Sequence, residues 1–242
     1  MQTIMSSKSK TITQQQTEQF TEMCRYLGLK QLAEGYPQLL EQAGKDDPGY
    51  YEFIRQIVLA EAAAKKKRRV DYLIRQSRLP QPLKMLSDFD FDFQKKLDRR
   101  LVMDLSSMEF IDRKESILFL GNNGVGKSHL AQSLALLACQ RGYRTYYTTC
   151  SELIMDLNQG VFEKTLDKRI RKYINCELLL IDEMGHDRLE LQVVKEAHLL
   201  FKVIDQRYKE NKPLIFTSNI EEEDWAEFLG DPFSTKAILD RI

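Results

Sequence analysis

No apolar run in this chain comes near the roughly 18–20 residues that cross a bilayer, so nothing in it reads as a membrane span. The opening stretch MQTIMSSKSKTITQQQTEQF is polar and lacks the apolar centre of a secretory signal. Cysteine is sparse. Cys24, Cys139, Cys150 and Cys176 lie far apart with no CxxC pair, which argues against zinc and against a disulfide framework and for a reducing cytoplasm. Internal repeats and low-complexity tracts are absent too, which sets aside a repeat architecture.

What is present is a chain of 242 residues, 43% hydrophobic and 30% charged. That is a soluble, globular composition, long enough for one full α/β domain and a smaller appendage. The formal net charge of zero hides an asymmetry. Residues 1–86 hold 14 Lys/Arg against 9 Asp/Glu, and the remainder holds 22 against 27. A basic segment attached to an acidic domain makes any polyanion binding local.

The first 80 or so residues carry helical patterns. TEQFTEMCRYLGL ends at Gly28, KQLAEGYPQLLEQAG contains a Pro37 that should kink or break it, and the segment from Asp46 to Leu79 opens with Asp47 as a candidate cap. The Pro-containing PQPLKMLSDFDFDF cannot continue that last helix. These features predict a helical N-terminal domain over 1–84, for partner or DNA interaction, and a second domain over 85–242. From Ile117 onward, short apolar runs alternate with helical ones. ILFL, RTYYTT, ELLLID and PLIFTS read as four strands, with helices over 127–141, 151–175, 189–209 and from 222. Such alternation predicts βαβ crossovers and a mostly parallel sheet.

GNNGVGKS, Gly121 to Ser128, follows the first of those strands and matches G-x-x-x-x-G-K-[ST]. The glycines let successive backbone N–H groups turn toward phosphate oxygens, and the helix beginning at Lys127 adds its positive end. Lys127 can reach the β- and γ-phosphates of ATP, and the Ser128 hydroxyl can ligate Mg²⁺. The candidate nucleotide contacts are Gly121, Asn122, Asn123, Gly124, Val125, Gly126, Lys127, Ser128 and His129, the histidine as a bystander to the chemistry. In CELLLIDEMG an apolar strand ends in Asp182, which can hold Mg²⁺ through water, and Glu183, which can polarise the attacking water. In PLIFTSN a third strand end offers Asn219 to orient that water.

These pieces, in this order and with a strand inserted between loop and acids, resemble the AAA+ ATPases. LDRRLVMDLSSMEFIDRKESILFLGNNGVGKSHLAQSLALLAC, LLLIDEMG, IFTSN followed by Trp225, and GDPFSTKAILDRI resemble more narrowly the IstB-type transposition helper ATPases, relatives of the DnaC helicase loaders. The resemblance implies an α/β AAA+ core, ATP and Mg²⁺ as cofactors, ATP-dependent homo-oligomerisation on double-stranded DNA, a partner transposase and a cytoplasmic location. It implies an arginine finger at Arg241, acting on a neighbouring subunit, and a chain that continues past 239–242, so that the sequence is expected to be truncated there. The 27 residues between the second and third strands exceed a simple crossover, with Gly160 expected to divide two helices. The extra helix resembles an insertion that lines the DNA channel of initiators and loaders. Lys164, Lys168, Arg169, Arg171 and Lys172 are its candidate DNA contacts, with Lys168, Arg171 and Lys172 expected on one face. KKKRR, Lys65 to Arg69, is a further candidate. A helicase loader is the alternative within this class. A P-loop transferase and a non-hydrolysing scaffold are alternatives outside it.

Overall fold

The computed structural model describes residues 14–94, 97–184 and 193–242, and the expected helix start at 189 lies outside them. The helices are α1 (Gln14–Tyr26), α2 (Lys30–Asp46), α3 (Tyr50–Ser77), α4 (Arg99–Leu105) and α5 (Glu109–Arg113), followed by β1 (Ile117–Leu120) and α6 (Lys127–Arg141). Next come β2 (Thr145–Thr149), α7 (Cys150–Phe162), α8 (Leu166–Ile174), β3 (Leu178–Met184), α9 (Val193–Lys209), β4 (Leu214–Ser218), α10 (Trp225–Leu229) and α11 (Pro232–Leu239). Among the described residues no helix is long and apolar enough to cross a membrane.

The chain divides into two compact units, one ending at Arg69 and the other spanning Val70–Ile242. In the first, α1 and α2 pack against each other, with Phe20 and Tyr36 edge to face at 5.1 Å. Pro37 does not break α2, which runs through it to Asp46. The missing N–H removes one helical bond, but the helix is tied at its start by the Leu32 amide, which donates to the Glu61 carboxylate at 3.1 Å. Asp47 does not open α3. It closes α2 in the left-handed conformation (φ 44°), its N–H donating to the Ala43 carbonyl, because its short polar side chain tolerates that geometry.

In the second unit the four strands form one parallel sheet in the order β1-β4-β3-β2. Both faces are covered. Leu178 and Leu180 of β3 join the cluster around α6 (Leu134, Ala135), while Leu179 and Ile181 join the one around α7 to α11 (Leu153, Leu157, Trp225). Two-residue alternation along a strand buried on both sides explains why ELLLID reads as one apolar run. Residues 73–83 belong to this core as well: Leu73 and Leu79 are buried, and Ile74 and Leu83 pack on the α6 cluster. The prolines after Leu79 thus lie within the second unit.

Local chemistry sets the helix starts. Thr149 ends β2 and opens α7 with a reciprocal capping box to Glu152, and Asp98 and Asp231 cap α4 and α11. Gly160 does not divide α7 from α8. It lies inside α7, where a Cβ would come within 2.7 Å of Arg169 Cδ and 3.1 Å of Leu166 Cα, so it is there to let α8 approach; the break falls at 163–165. At the far end of the sheet the fully buried Arg207 donates to the carbonyls of Tyr173 (2.7 Å), Cys176 (3.1 Å), Glu177 (3.2 Å) and Pro213 (2.7 Å). A buried guanidinium needs such partners, and here it ties the end of α8 to the starts of β3 and β4.

Candidate functional site: a phosphate loop facing a carboxylate cluster

All four parallel strands point their C-terminal ends to one side, where open α/β sheets bind ligands. The strand order sets β4 between β1 and β3, so the loop after β1 and the acids at the end of β3 flank the end of β4. A cleft of ≈ 430 Å³ opens there, lined by Asn123, Gly124, Gly126, Lys127, Ser128, His129, Glu183, Thr217 and Asn219.

The loop turns through glycines at φ 144° (Gly121), 79° (Gly124) and 94° (Gly126), backbone conformations that a side chain disfavours. At Gly126 there is a second constraint. A Cβ would sit 2.6 Å from the Phe89 ring, which also meets His129 edge to face at 5.4 Å and Phe91 at 4.9 Å. The FDFDF segment is therefore packed onto the loop, and His129 Nε2 is 2.9 Å from the Met85 carbonyl oxygen. Lys127 donates to the carbonyls of Gly121 (2.6 Å) and Asn122 (2.9 Å). Burial lowers its pKa, with Asp182 acting the other way.

Asp182 is buried and collects four side-chain donors. Ser128 Oγ reaches Oδ1 at 2.8 Å and Thr217 Oγ1 shares that oxygen; Gln132 Nε2 and Tyr147 OH reach Oδ2 at 3.1 Å and 3.3 Å. Burial and the neighbouring carboxylates push the Tyr147 phenol pKa well up, so it stays a donor. Glu183 makes an irregularity within β3. Its φ is 61°, and the β3–β4 register shifts between Ile181 and Met184. A non-glycine residue in that region costs about 1–2 kcal/mol. Two bonds hold it there: its N–H donates to Thr217 Oγ1 at 2.9 Å and to Asp182 Oδ1 at 3.2 Å. The result exposes Glu183 to the cleft while Asp182 and Met184 on either side are buried.

Asn219 lines the same cleft, its N–H donating to the Met184 carbonyl at 3.3 Å. Its Oδ1 is buried and has no hydrogen-bond partner, one of two such side-chain atoms among the described residues. A carbonyl oxygen left unpaired in a polar cleft fits an acceptor for a donor that arrives with the ligand. The same cleft holds open glycines, a lysine with no carboxylate partner at hydrogen-bond distance among the described residues, and a hydroxyl–carboxylate pair, which is the donor and acceptor set that a nucleotide triphosphate with Mg²⁺ requires.

Sequence reading missed four contributors. Thr217 lay in a recognised strand end, but its bond to Asp182 spans 35 residues. Gln132 sits four residues after Ser128 on α6, a spacing that could have suggested it. Tyr147 and Phe89 gave no local signal.

Arg241 is elsewhere. Its Nε donates to Asp205 Oδ1 at 2.9 Å and its Nη1 to the Ala237 carbonyl at 2.7 Å, with Phe201 and Tyr208 under the guanidinium. With Lys114, Ser116 and Leu214 it lines a cleft at the start of β1 and β4, the opposite end of the sheet from the phosphate loop.

The five cations of the α7–α8 segment separate into two groups. Arg169 pairs with Asp156 and, at 2.8 Å, with Glu163; Lys172 pairs with Asp156 at 3.1 Å and lies over the Tyr146 and Tyr173 rings. The shared face expected for Lys168, Arg171 and Lys172 is thus not formed, because the buried-side carboxylate of Asp156 draws Lys172 inward. Lys164, Lys168 and Arg171 are exposed and line a concavity of ≈ 810 Å³. In KKKRR, Lys65, Lys66 and Lys67 are exposed and Arg68 is bonded to Glu61 at 2.9 Å.

Comparison with known proteins matches this arrangement to a family. Residues 22–242 match the model of the IstB-like ATP binding protein family. The ATP-binding protein of insertion sequence IS5376 from Geobacillus stearothermophilus is 40% identical over 93% of this chain and 88% of its own length. That of IS21 from Pseudomonas aeruginosa is 34% identical over 89% and 80%. Among solved structures, AMPPCP-bound DnaA from Aquifex aeolicus is 20% identical with a TM-score of 0.55 over 68% of this chain and 50% of that one; DnaI is 21% identical with a TM-score of 0.53 over 67% and 90%. The structural likenesses show the fold, a P-loop core of the AAA+ type with its parallel sheet between helices, preceded by a helical region. The sequence matches show the family: the chain belongs to the IstB-like ATP-binding proteins.

Proposed function

We propose that the protein is an ATPase that assembles on duplex DNA and assists a transposase in choosing and using its target. The observation that supports hydrolysis best is Glu183, held at positive φ so that its carboxylate faces the cleft beside the Ser128–Asp182 pair. Lys127 and the loop amides would hold the phosphates. Ser128 and Asp182 would hold Mg²⁺, which when bound neutralises charge on the β- and γ-phosphate oxygens. Glu183 takes the proton of the attacking water, and the unpaired Asn219 oxygen orients that water. A phosphoryl transferase would need to keep water from this point; a carboxylate aimed into an open cleft does the reverse.

Lys164, Lys168 and Arg171 carry the DNA contact, and the exposed lysines of KKKRR add to it or meet the transposase. Arg241 completes the site of a second copy. It leaves Asp205 and takes the γ-phosphate of the neighbouring subunit in exchange. Its distance from its own phosphate loop is what action in trans requires.

ATP turnover measured with duplex, with single-stranded DNA and with none is the test. Stimulation by duplex and loss of turnover in Glu183→Gln, with ATP binding kept, is the expected result. Preference for single strands would favour a helicase-loading role. An unchanged rate in Glu183→Gln would remove the hydrolytic reading. Mixing Lys127→Ala with Arg241→Ala should recover activity at mixed interfaces.

A further inference from the structure

The α7–α8 elbow holds more than cations. α7 continues past Gly160 to Phe162, and the chain then reverses in three residues, with Lys164 at φ 59° and the Thr165 N–H donating to the Gly160 carbonyl at 2.8 Å. The reversal leaves Phe162 at the tip, 90% exposed, next to Val161 at 53%. Met155, seven residues earlier and so on the same side of α7, is 71% exposed. Packing within the unit gives no reason for a bare aromatic here. Gly160, two residues back, makes the close contact with α8.

Charge sets the kind of partner. Val161 opens the concavity whose rim carries Lys164, Lys168 and Arg171, and these three form no ion pair among the described residues. Asp167 is the carboxylate on that rim, while Glu163 is taken by Arg169. The cations therefore exceed the free acids at the tip. An exposed apolar side chain at the tip of an elbow that also carries unpaired cations suits a duplex. The cations meet phosphates, and the ring enters a base step and partly unstacks it.

We infer that Phe162 is a wedge that inserts between bases of the bound duplex and bends it, with Lys164, Lys168 and Arg171 on the flanking phosphates. The inference rests on the duplex-binding reading above and adds to it a base-step contact and a deformation.

The test uses the full chain with ATP and Mg²⁺ and a set of duplexes with 2-aminopurine walked along the site, whose emission rises on unstacking. The wild-type protein should brighten the probe at discrete positions. Phe162→Ala should abolish the rise and weaken binding by about tenfold, the worth of one base–aromatic stack. Its salt slope should match wild type, because no phosphate contact is lost. Phe162→Trp should restore the emission. Because Phe162 is exposed, Phe162→Ala should melt like wild type. An equal rise with Phe162→Ala overturns the wedge while leaving duplex binding intact. Loss of chain–chain assembly without DNA in Phe162→Ala also overturns it and makes the ring a protein contact. Failure of the wild-type chain to bind duplex at all overturns the duplex reading and the wedge together.

Discussion

Residues 14–69 and residues 70–242 are both rich in helix, yet they hide different side chains. In the first unit the buried apolar residues are Cys24 and Ala33, and Tyr26, Tyr50 and Tyr51 are 91%, 92% and 80% exposed. In the second, Trp225, Tyr173, Phe110 and Phe216 are fully buried on the two faces of a sheet. A sheet gives helices two apolar faces to cover. The helical residues of the first unit have no sheet to cover, and Ile54 and Val58 stay at 60% and 59% exposure in the first third of α3. The site geometry therefore rests on the second unit's own packing. The first unit keeps apolar surface that its own fold does not use.

The largest expected effect sits wholly in the second unit. Lys127→Ala should weaken ATP binding by roughly a hundredfold or more, since it removes a partly buried cation that pairs with phosphate. Neutralising Lys65, Lys66 and Lys67 together should leave ATP affinity unchanged and flatten the salt dependence of duplex binding. Titration of a labelled nucleotide checks both. A drop in ATP affinity from the lysine triple would break the separation of roles.

Next comes the core. Trp225 is fully buried against Phe216, and its Nε1 donates to Ser218 Oγ at 3.2 Å at the end of β4. Trp225→Ala should cost about 3–5 kcal/mol, read as a fall in the urea midpoint. It should also disturb the cleft, because Ser218 precedes Asn219.

A smaller effect is expected at Asp156, which organises the base of the α7–α8 elbow. Burial alone would raise its pKa, but hydrogen bonds from Tyr173, Lys172 and Arg169 hold the carboxyl below its ordinary value of 3.8. A depressed carboxylate stabilises the fold above its unfolded pKa and loses that contribution as pH falls through the folded one. Asp156→Asn should therefore cost about 1–2 kcal/mol at neutral pH, trimmed by partial solvent screening. The difference from wild type should shrink as pH drops below 3.8. Melting curves at pH 7 and pH 3 check this, and an equal loss at both would deny the carboxylate that role.

Where the signal was local, the sequence was readable. The loop offsets from Gly121 to Ser128 are fixed by chain geometry, and the four strands appear within a residue or two of their apolar runs. What failed was context. Pro37 and Gly160 carry strong local preferences that packing overrode, through the α1–α2 contact and the approach of α8. Arg207 in DQRYK looks like a solvated helix residue, yet it is the buried tie between α8, β3 and β4. Thr217 and Phe89 reach the site across 35 and 37 residues, distances at which pattern carries no information. Lys172 has the right spacing for a shared cationic face and is turned away by one carboxylate.

The smallest expected effect is the one that bears most directly on the contrast between the units. Tyr50 and Tyr51 open α3, and their rings are almost bare. Truncating an exposed side chain removes little buried area, so Tyr50→Ala with Tyr51→Ala should change the stability of the chain by no more than about 0.5 kcal/mol each. ATP binding should stay at the wild-type level, since neither ring lies in the cleft. If the exposed apolar surface of the first unit serves a partner, the double variant should lose an association that the wild-type chain makes, read as a shift in sedimentation with the transposase or with more of the same chain. A destabilisation as large as that of Trp225→Ala would show that these rings are buried in the folded protein in solution, and the contrast between the two units would collapse. Wild-type stability together with wild-type association would leave the contrast standing and remove α3's first turn from the interaction surface.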